Sequence, residues 1–273
     1  MRLLVALLAL LLLTGPATTV GATCSVDVPC RAGEGEYVMI TPPNFDATRP
    51  TGILVFFHGF ADTPRGILTN SKIAEVAARE GLVLVMPIGH DKRWYARVAD
   101  GLPRDDVAFV RAVTADVASR MNVDRNLRVA SGYSAGGFMT WFIACYAPDM
   151  FTAYLPVSGA FIEPIPDKGC PGGPVRLRHV HGTADTTVPM AGRRVNSGFR
   201  QADVRASIAV MAMTNHCLAP PEMTMDETED CAAWTRACAP QSALALCTNG
   251  GGHNFDARHV AQGLAWVKAL KPL

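Results

Sequence analysis

The sequence of 273 residues is poor in charge and has no excess of either sign. Asp, Glu, Lys and Arg make up 18%, with 25 basic against 24 acidic residues and a formal net charge of +1. No basic run occurs, which removes the electrostatic grip that nucleic-acid binding needs. No apolar stretch approaches the roughly 20 residues of a membrane-spanning helix; Leu3–Leu13 is the longest, with 11. There is no C-x-x-C pair of the kind that holds structural zinc. Neither G-x-G-x-x-G nor a P-loop is present, so no nucleotide site is indicated. Internal repeats and low-complexity linkers are also missing. These absences lead us to expect no metal, no organic cofactor, no nucleic-acid partner and no stable membrane anchor. What remains is 49% hydrophobic and globular in composition.

The first residues read as a removable leader. Arg2 supplies a positive start, Leu3–Leu13 the apolar middle, Thr14-Gly15-Pro16 the break and Val20-Gly21-Ala22 the small residues at a cleavage site. Thr23 disfavours the alternative, a lipoprotein junction at Cys24. Residues 1–22 are therefore expected to be removed. Residues 23–273 then form one domain of 273 − 22 = 251 residues with 24 basic and 24 acidic side chains. Such a chain is exported, to the periplasm or beyond the cell. All eight cysteines follow the leader: Cys24, Cys30, Cys145, Cys170, Cys217, Cys231, Cys238 and Cys247. An even number in an exported chain points to disulfides. Cys24 and Cys30 are close enough in sequence to pin the new N-terminus. The four between Cys217 and Cys247 imply a stapled excursion before the last strand. The connectivity stays open.

Short apolar runs alternate with helical patterns. Gly52–Phe57 and Leu82–Met86 read as buried strands, the second stopped by Pro87, with a helix in Ser71–Gly81 between them. Asp105 or Asp106 caps a helix carrying Val110, Val113 and Val117. Leu127–Ala130 is a third strand and Ala135–Tyr146 the helix after it, with Trp141 in the core. Ala153–Ser158 and Val175–Val180 are strands, Val204–Asn215 a helix, Ala243–Cys247 the last strand and Asp256–Leu270 the last helix. Pro220–Thr235 reads as a polar surface loop. Alternation of this kind implies an α/β fold, a mainly parallel sheet with helices on both faces.

Gly132-Tyr133-Ser134-Ala135-Gly136 is a G-x-S-x-G with a strand before it and a helix after it, the context that lifts a serine Oγ above a sheet edge. A serine hydroxyl needs a base. On this fold the partners follow in the order Ser, acid, His. His253 lies in Gly250-Gly251-Gly252-His253, after the last strand. Asp185 lies in the exit loop of the preceding strand, His181-Gly182-Thr183-Ala184-Asp185. The rival Asp203 is explained by capping a helix, and His259 reads as a solvated residue. His179 and His181 alternate on one strand, but no third metal ligand accompanies them. The backbone N–H groups of Ala135 and Phe60 are the candidate oxyanion donors. Phe60 belongs to Phe57-His58-Gly59-Phe60, where His58 buttresses the loop. Trp94 and Tyr133 are the candidate substrate-binding residues, Trp94 with Tyr95 in the loop after the second strand and Tyr133 beside the nucleophile.

Taken together, five segments resemble the secreted polyhydroxybutyrate depolymerase-like esterases: Phe57-His58-Gly59-Phe60, Asp105-Asp106-Val107-Ala108-Phe109, Gly132–Met139, His181–Asp185 and Gly251-Gly252-His253. These are α/β-hydrolases related to feruloyl and acetylxylan esterases. The resemblance runs from about Val38 to the last helix and places the family's triad on Ser134, Asp185 and His253. It implies a cofactor-free, monomeric serine carboxylester hydrolase whose partner is its ester substrate. Hydroxyalkanoate esters come first, feruloyl or acetyl esters of plant polysaccharide second, and peptides third. A non-catalytic member is disfavoured because all three triad residue types stand in order. Two features depart from the family. His253-Asn254-Phe255-Asp256 replaces the usual aromatic and proline stretch, and Met223–Cys238 is unusually rich in cysteine.

Overall fold

In the computed structural model, residues 24–195, 198–225, 228–234 and 238–270 are described; the leader lies outside them. The strands in chain order are β1 (Cys30–Ala32), β2 (Gly35–Ile40), β3 (Thr51–Phe57), β4 (Val83–Pro87), β5 (Val123–Tyr133), β6 (Ala153–Val157), β7 (Arg176–Gly182), β8 (Arg193–Arg194), β9 (Arg200–Gln201), β10 (Glu222–Met225), β11 (Asp230–Trp234) and β12 (Ala243–Asn249). The helices are α1 (Pro64–Asn70), α2 (Ile73–Arg79), α3 (Asp106–Arg120), α4 (Ala135–Tyr146), α5 (Val204–Thr214) and α6 (Ala257–Ala269).

Ten strands form one sheet in the order β1-β2-β4-β3-β5-β6-β7-β12-β11-β10. The pairs from β4 through β12 are parallel, and the outer pairs are antiparallel. The central strands are covered on both faces, so their residues are apolar without alternation: Gly52 through Phe57 are all buried. One face packs against α3 and α4 through Phe109, Val113, Met139 and Trp141. The other packs against α2 and α6 through Val76, Val260 and Leu264. This is the α/β-hydrolase fold. Its parallel strands end together, so the loops after β3, β5, β7 and β12 meet at one edge.

Local chemistry sets several boundaries. Asp105 caps α3, its Oδ1 accepting from Val107 N and Ala108 N at 3.0 Å each. Asp106 is not a second capping residue. It is buried, takes the Arg104 Nε–H at 2.6 Å and the Tyr95 N–H at 2.7 Å, and so ties the loop after β4 to the start of α3.

The region expected to be a surface loop, Pro220–Thr235, instead supplies β10 and β11, a hairpin added antiparallel to β12. The β10 side chains are exposed and those of β11 mostly half-buried, without the alternation that marks a strand in sequence. Four disulfides are formed: Cys24–Cys30, Cys145–Cys170, Cys217–Cys238 and Cys231–Cys247. The last joins directly opposed residues of β11 and β12 and fastens the hairpin to the sheet. Among the described residues, no helix is long and apolar enough to cross a membrane.

Candidate active site

Ser134 stands between the last residue of β5 and the first of α4. Its backbone is at φ 55°, ψ −117°, a strained conformation for a residue with a side chain. The turn is tight because Gly136 lies against β3: a Cβ there would come within 1.9 Å of the Phe57 carbonyl oxygen. The pattern of small residues is therefore a packing requirement of the elbow. Ala135 opens α4, which directs the positive end of the helix dipole at the serine.

The two partner loops are joined to each other. Thr183 N donates to Asn249 O at 2.8 Å and Ala184 N to Gly251 O at 3.0 Å. Gly182 permits that approach, since a Cβ there would be 2.3 Å from Gly251 O. The result brings all three sequence candidates together. Ser134 Oγ lies 2.9 Å from His253 Nε2, and His253 Nδ1 lies 2.6 Å from Asp185 Oδ2. Asp185 accepts on its other oxygen from Thr187 N at 2.8 Å and Val188 N at 2.7 Å. A carboxylate can only accept, so the proton of His253 sits on Nδ1 and Nε2 is left to receive the serine hydroxyl.

The loop carrying Phe60 lies over the elbow; a Cβ at Gly59 would sit 3.9 Å from Ser134 Cβ. His58 holds this loop from within. Its Nδ1–H donates to Gly59 O at 2.7 Å, and its Nε2 accepts from Gly89 N at 3.0 Å. Burial lowers the pKa of His58, which favours this neutral tautomer. The Phe60 ring itself is exposed, with Arg93 stacked on it at 5.3 Å.

Of the two residues expected to touch substrate, Trp94 lies under the loop and Tyr133 beside the His253 imidazole. Trp94 is buried; its indole N–H donates to His58 O at 2.9 Å and its ring meets Phe57 edge-on. It supports the loop from below instead of facing an open pocket. Tyr133 donates its hydroxyl to His253 O at 2.9 Å, and its ring lies 4.9 Å from the imidazole. It therefore fastens the histidine loop to the elbow. Burial, with the nearby charge of Asp185, pushes its pKa up to about 12, so the hydroxyl stays a donor.

His259 was expected to be solvated. It instead donates from Nδ1 to Glu229 Oε1 at 2.6 Å, and Arg178 pairs with the other oxygen of that buried carboxylate. Sequence reasoning missed this cluster because its members come from α6, β7 and the segment before β11. Asp203 caps α5, accepting from Ala206 N at 2.8 Å. Glu229, Cys231 and Cys247 converge as metal-type ligands do, but the two sulfurs are joined to each other.

Two cavities lie among the described residues, and neither is lined by Ser134, Asp185 or His253. One of about 390 Å³ lies behind the histidine loop, lined in part by Gly182, Gly251 and His259. The larger, about 760 Å³, is built from the loops after β4, β6 and β7 and the outer turns of α4, with Phe142, Tyr146, Phe161, Phe199 and Arg194 on its walls.

Residues 33–270 match the family described as "Putative esterase". The chain belongs to that esterase family. It is 26% identical over 169 residues to the probable feruloyl esterase C of Aspergillus oryzae, covering 59% of each chain. It is 28% identical over 164 residues to feruloyl esterase C of Emericella nidulans, covering 58% of this chain and 57% of that one. The match thus spans about three fifths of the length of these relatives. Among solved structures, the acetyl xylan esterase from Aspergillus awamori superposes with a TM-score of 0.65 at 16% identity, over 86% of this chain and 94% of that one. A feruloyl esterase module from Clostridium thermocellum gives 0.57 at 15%, over 86% and 82%. At such identities the structural likenesses speak for the fold alone.

Proposed function

We propose that this esterase-family chain is an exported serine carboxylester hydrolase acting on feruloyl or acetyl esters of polysaccharides. The observation that carries the chemistry is the linked geometry of Ser134, His253 and Asp185, at 2.9 and 2.6 Å. His253 Nε2 takes the Ser134 proton as Oγ adds to the ester carbonyl. Asp185 keeps the imidazole in the required tautomer and offsets the charge it gains. The N–H groups of Ala135 and Phe60 receive the oxyanion. Protonated His253 then returns its proton to the leaving alcohol, and water releases the acid by the same steps in reverse.

The relatives support putting feruloyl or acetyl esters first. Those quoted above are described as feruloyl esterases, and none as an enzyme of hydroxyalkanoates. The order of substrates implied by the sequence resemblance is therefore reversed here. Four disulfides and the leader-like N-terminus support export.

The test is a panel of initial rates on methyl ferulate, acetylated xylan, p-nitrophenyl acetate and a hydroxybutyrate trimer. Faster turnover of the feruloyl or acetyl esters is expected. A clear preference for the trimer would return the assignment to hydroxyalkanoates, and no turnover of any ester would end the hydrolase reading.

A further inference from the structure

The ester chemistry makes no use of His179 and His181, two imidazoles with no exposed surface. Their spacing puts both rings on one face of β7, and their contacts fix the position of every proton. Val188 O can only accept, so its 2.7 Å contact with His181 Nε2 requires a proton on that nitrogen. A neutral imidazole has a single N–H, which leaves His181 Nδ1 a lone pair. The 2.9 Å contact between that atom and His179 Nε2 must then be donated by His179. His179 Nδ1 becomes an acceptor in turn, and the Trp141 indole N–H faces it at 3.4 Å. The chain runs one way, from Trp141 through His179 and His181 to the Val188 carbonyl.

The other side of the Val188 residue reaches the triad. Its N–H donates to Asp185 Oδ1 at 2.7 Å, while Asp185 Oδ2 holds His253. The other neutral tautomer of His179 would donate from Nδ1 to Pro156 O, 3.0 Å away, but it would set two nitrogen lone pairs against each other at 2.9 Å and turn its N–H toward that of Trp141. Burial opposes a second proton on either ring, and at His179 the charge of Arg178 opposes it too. The one acid nearby is Asp185, whose Oδ2 is 3.7 Å from His181 Nε2. That oxygen is already engaged by His253.

We propose that His181, aligned by His179 and Trp141, is a positioning residue for Asp185: it grips the Val188 carbonyl, sets the turn from Asp185 to Val188, and so keeps Asp185 Oδ2 on His253. This rests on the triad reading above. In a hydrolase of this design, a misplacement of about 1 Å at the acid costs on the order of 100-fold in rate.

The experiment begins with a wild-type chain that hydrolyses p-nitrophenyl acetate and a Ser134→Ala chain that does not. If that difference is absent, the triad reading itself has failed. His181→Gln and His181→Asn are then compared. A Gln amide nitrogen reaches the position of Nε2 and can still donate to Val188 O, whereas an Asn nitrogen reaches only the position of Nδ1. His181→Asn should lower kcat about 10- to 100-fold with KM within about twofold, and His181→Gln should recover most of that loss. In an Asp185→Asn background, His181→Asn should lower kcat no further, because the geometry it protects is already gone. The low-field proton resonance of His253 Nδ1–H should persist in the Gln variant and shift or vanish in the Asn variant, with far-ultraviolet circular dichroism unchanged. If the Asn variant does not fold, Trp141→Phe takes its place. It removes the first donor, keeps an aromatic ring, and should show the same loss in kcat at a smaller size. Equal rates for the Gln and Asn variants, or losses that multiply in the Asp185→Asn background, would overturn the proposal.

Discussion

Replacing Asp185 by Asn changes one atom of the buried acid, and the structure dictates which way the new amide must face. Oδ1 accepts two backbone N–H groups, from Thr187 at 2.8 Å and Val188 at 2.7 Å. An NH₂ group there would confront both donors, so the amide oxygen must keep that side. The NH₂ is left pointing at His253 Nδ1, which lies 2.6 Å from the present oxygen. It donates, Nδ1 becomes the acceptor, and the ring proton moves to Nε2. Nε2 then presents an N–H to Ser134 Oγ and cannot take its proton. The same tautomer error in a serine-protease triad lowers kcat about 10⁴-fold, which corresponds to about 5 kcal/mol of transition-state stabilisation. The loss should fall on kcat, because substrate binding does not use the acid. The two backbone hydrogen bonds survive, so the variant should fold. Initial rates on p-nitrophenyl acetate, normalised to folded protein, measure the effect, and thermal melting checks the fold. A folded variant within tenfold of the wild-type kcat would refute the reasoning, since His253 would then be oriented by something other than Asp185.

Other consequences are as direct. Ser134→Ala should lower kcat by about 10⁶-fold and abolish labelling by a fluorophosphonate probe; labelling at another residue would reject the elbow assignment. Stability should fall with acid. Burial lowers the folded-state pKa of His58, His179 and His181 from the ordinary 6.5. Below that value the unfolded chain therefore binds protons that the folded chain does not, and each residue contributes up to about 1.4 kcal/mol of lost stability per pH unit. A melting temperature that stays flat from pH 7 to pH 5 would contradict this. Finally, thiol titration of denatured, unreduced protein should find less than one free thiol per chain, because all eight cysteines are paired; two or more would mean that a bridge is missing.

The parts legible in the sequence are those specified within a few neighbouring residues. Gly52–Phe57 can satisfy its apolar side chains only in a strand buried on both faces. The glycines and alanine around Ser134 are demanded by a turn in which Gly136 touches β3. The order of serine, acid and histidine follows from which strand each loop leaves, so the alternation of strands and helices already brought Ser134, Asp185 and His253 to one edge.

Tertiary structure decided what depends on partners distant along the chain. Tyr133 stands beside the nucleophile in sequence, yet its hydroxyl is claimed by His253 O, 120 positions away. Trp94 lies in a loop on the functional side of the sheet, but burial against Phe57 and the His58 carbonyl turns it inward. His259 has no local feature that distinguishes it from a solvated helix residue; Glu229, 30 positions earlier, makes it part of a buried ion cluster. The β10–β11 hairpin belongs to the same class. Its β10 residues are exposed, its β11 residues are mostly half-buried, and it becomes sheet because β12 offers an unpaired edge and Cys231 bonds to Cys247. Backbone propensity and apolar spacing act over the length of one turn or strand, and the sequence records them directly. An edge pairing, a buried charge or a proton's position is set by whichever atoms the finished fold brings within about 3 Å, and no local pattern encodes them.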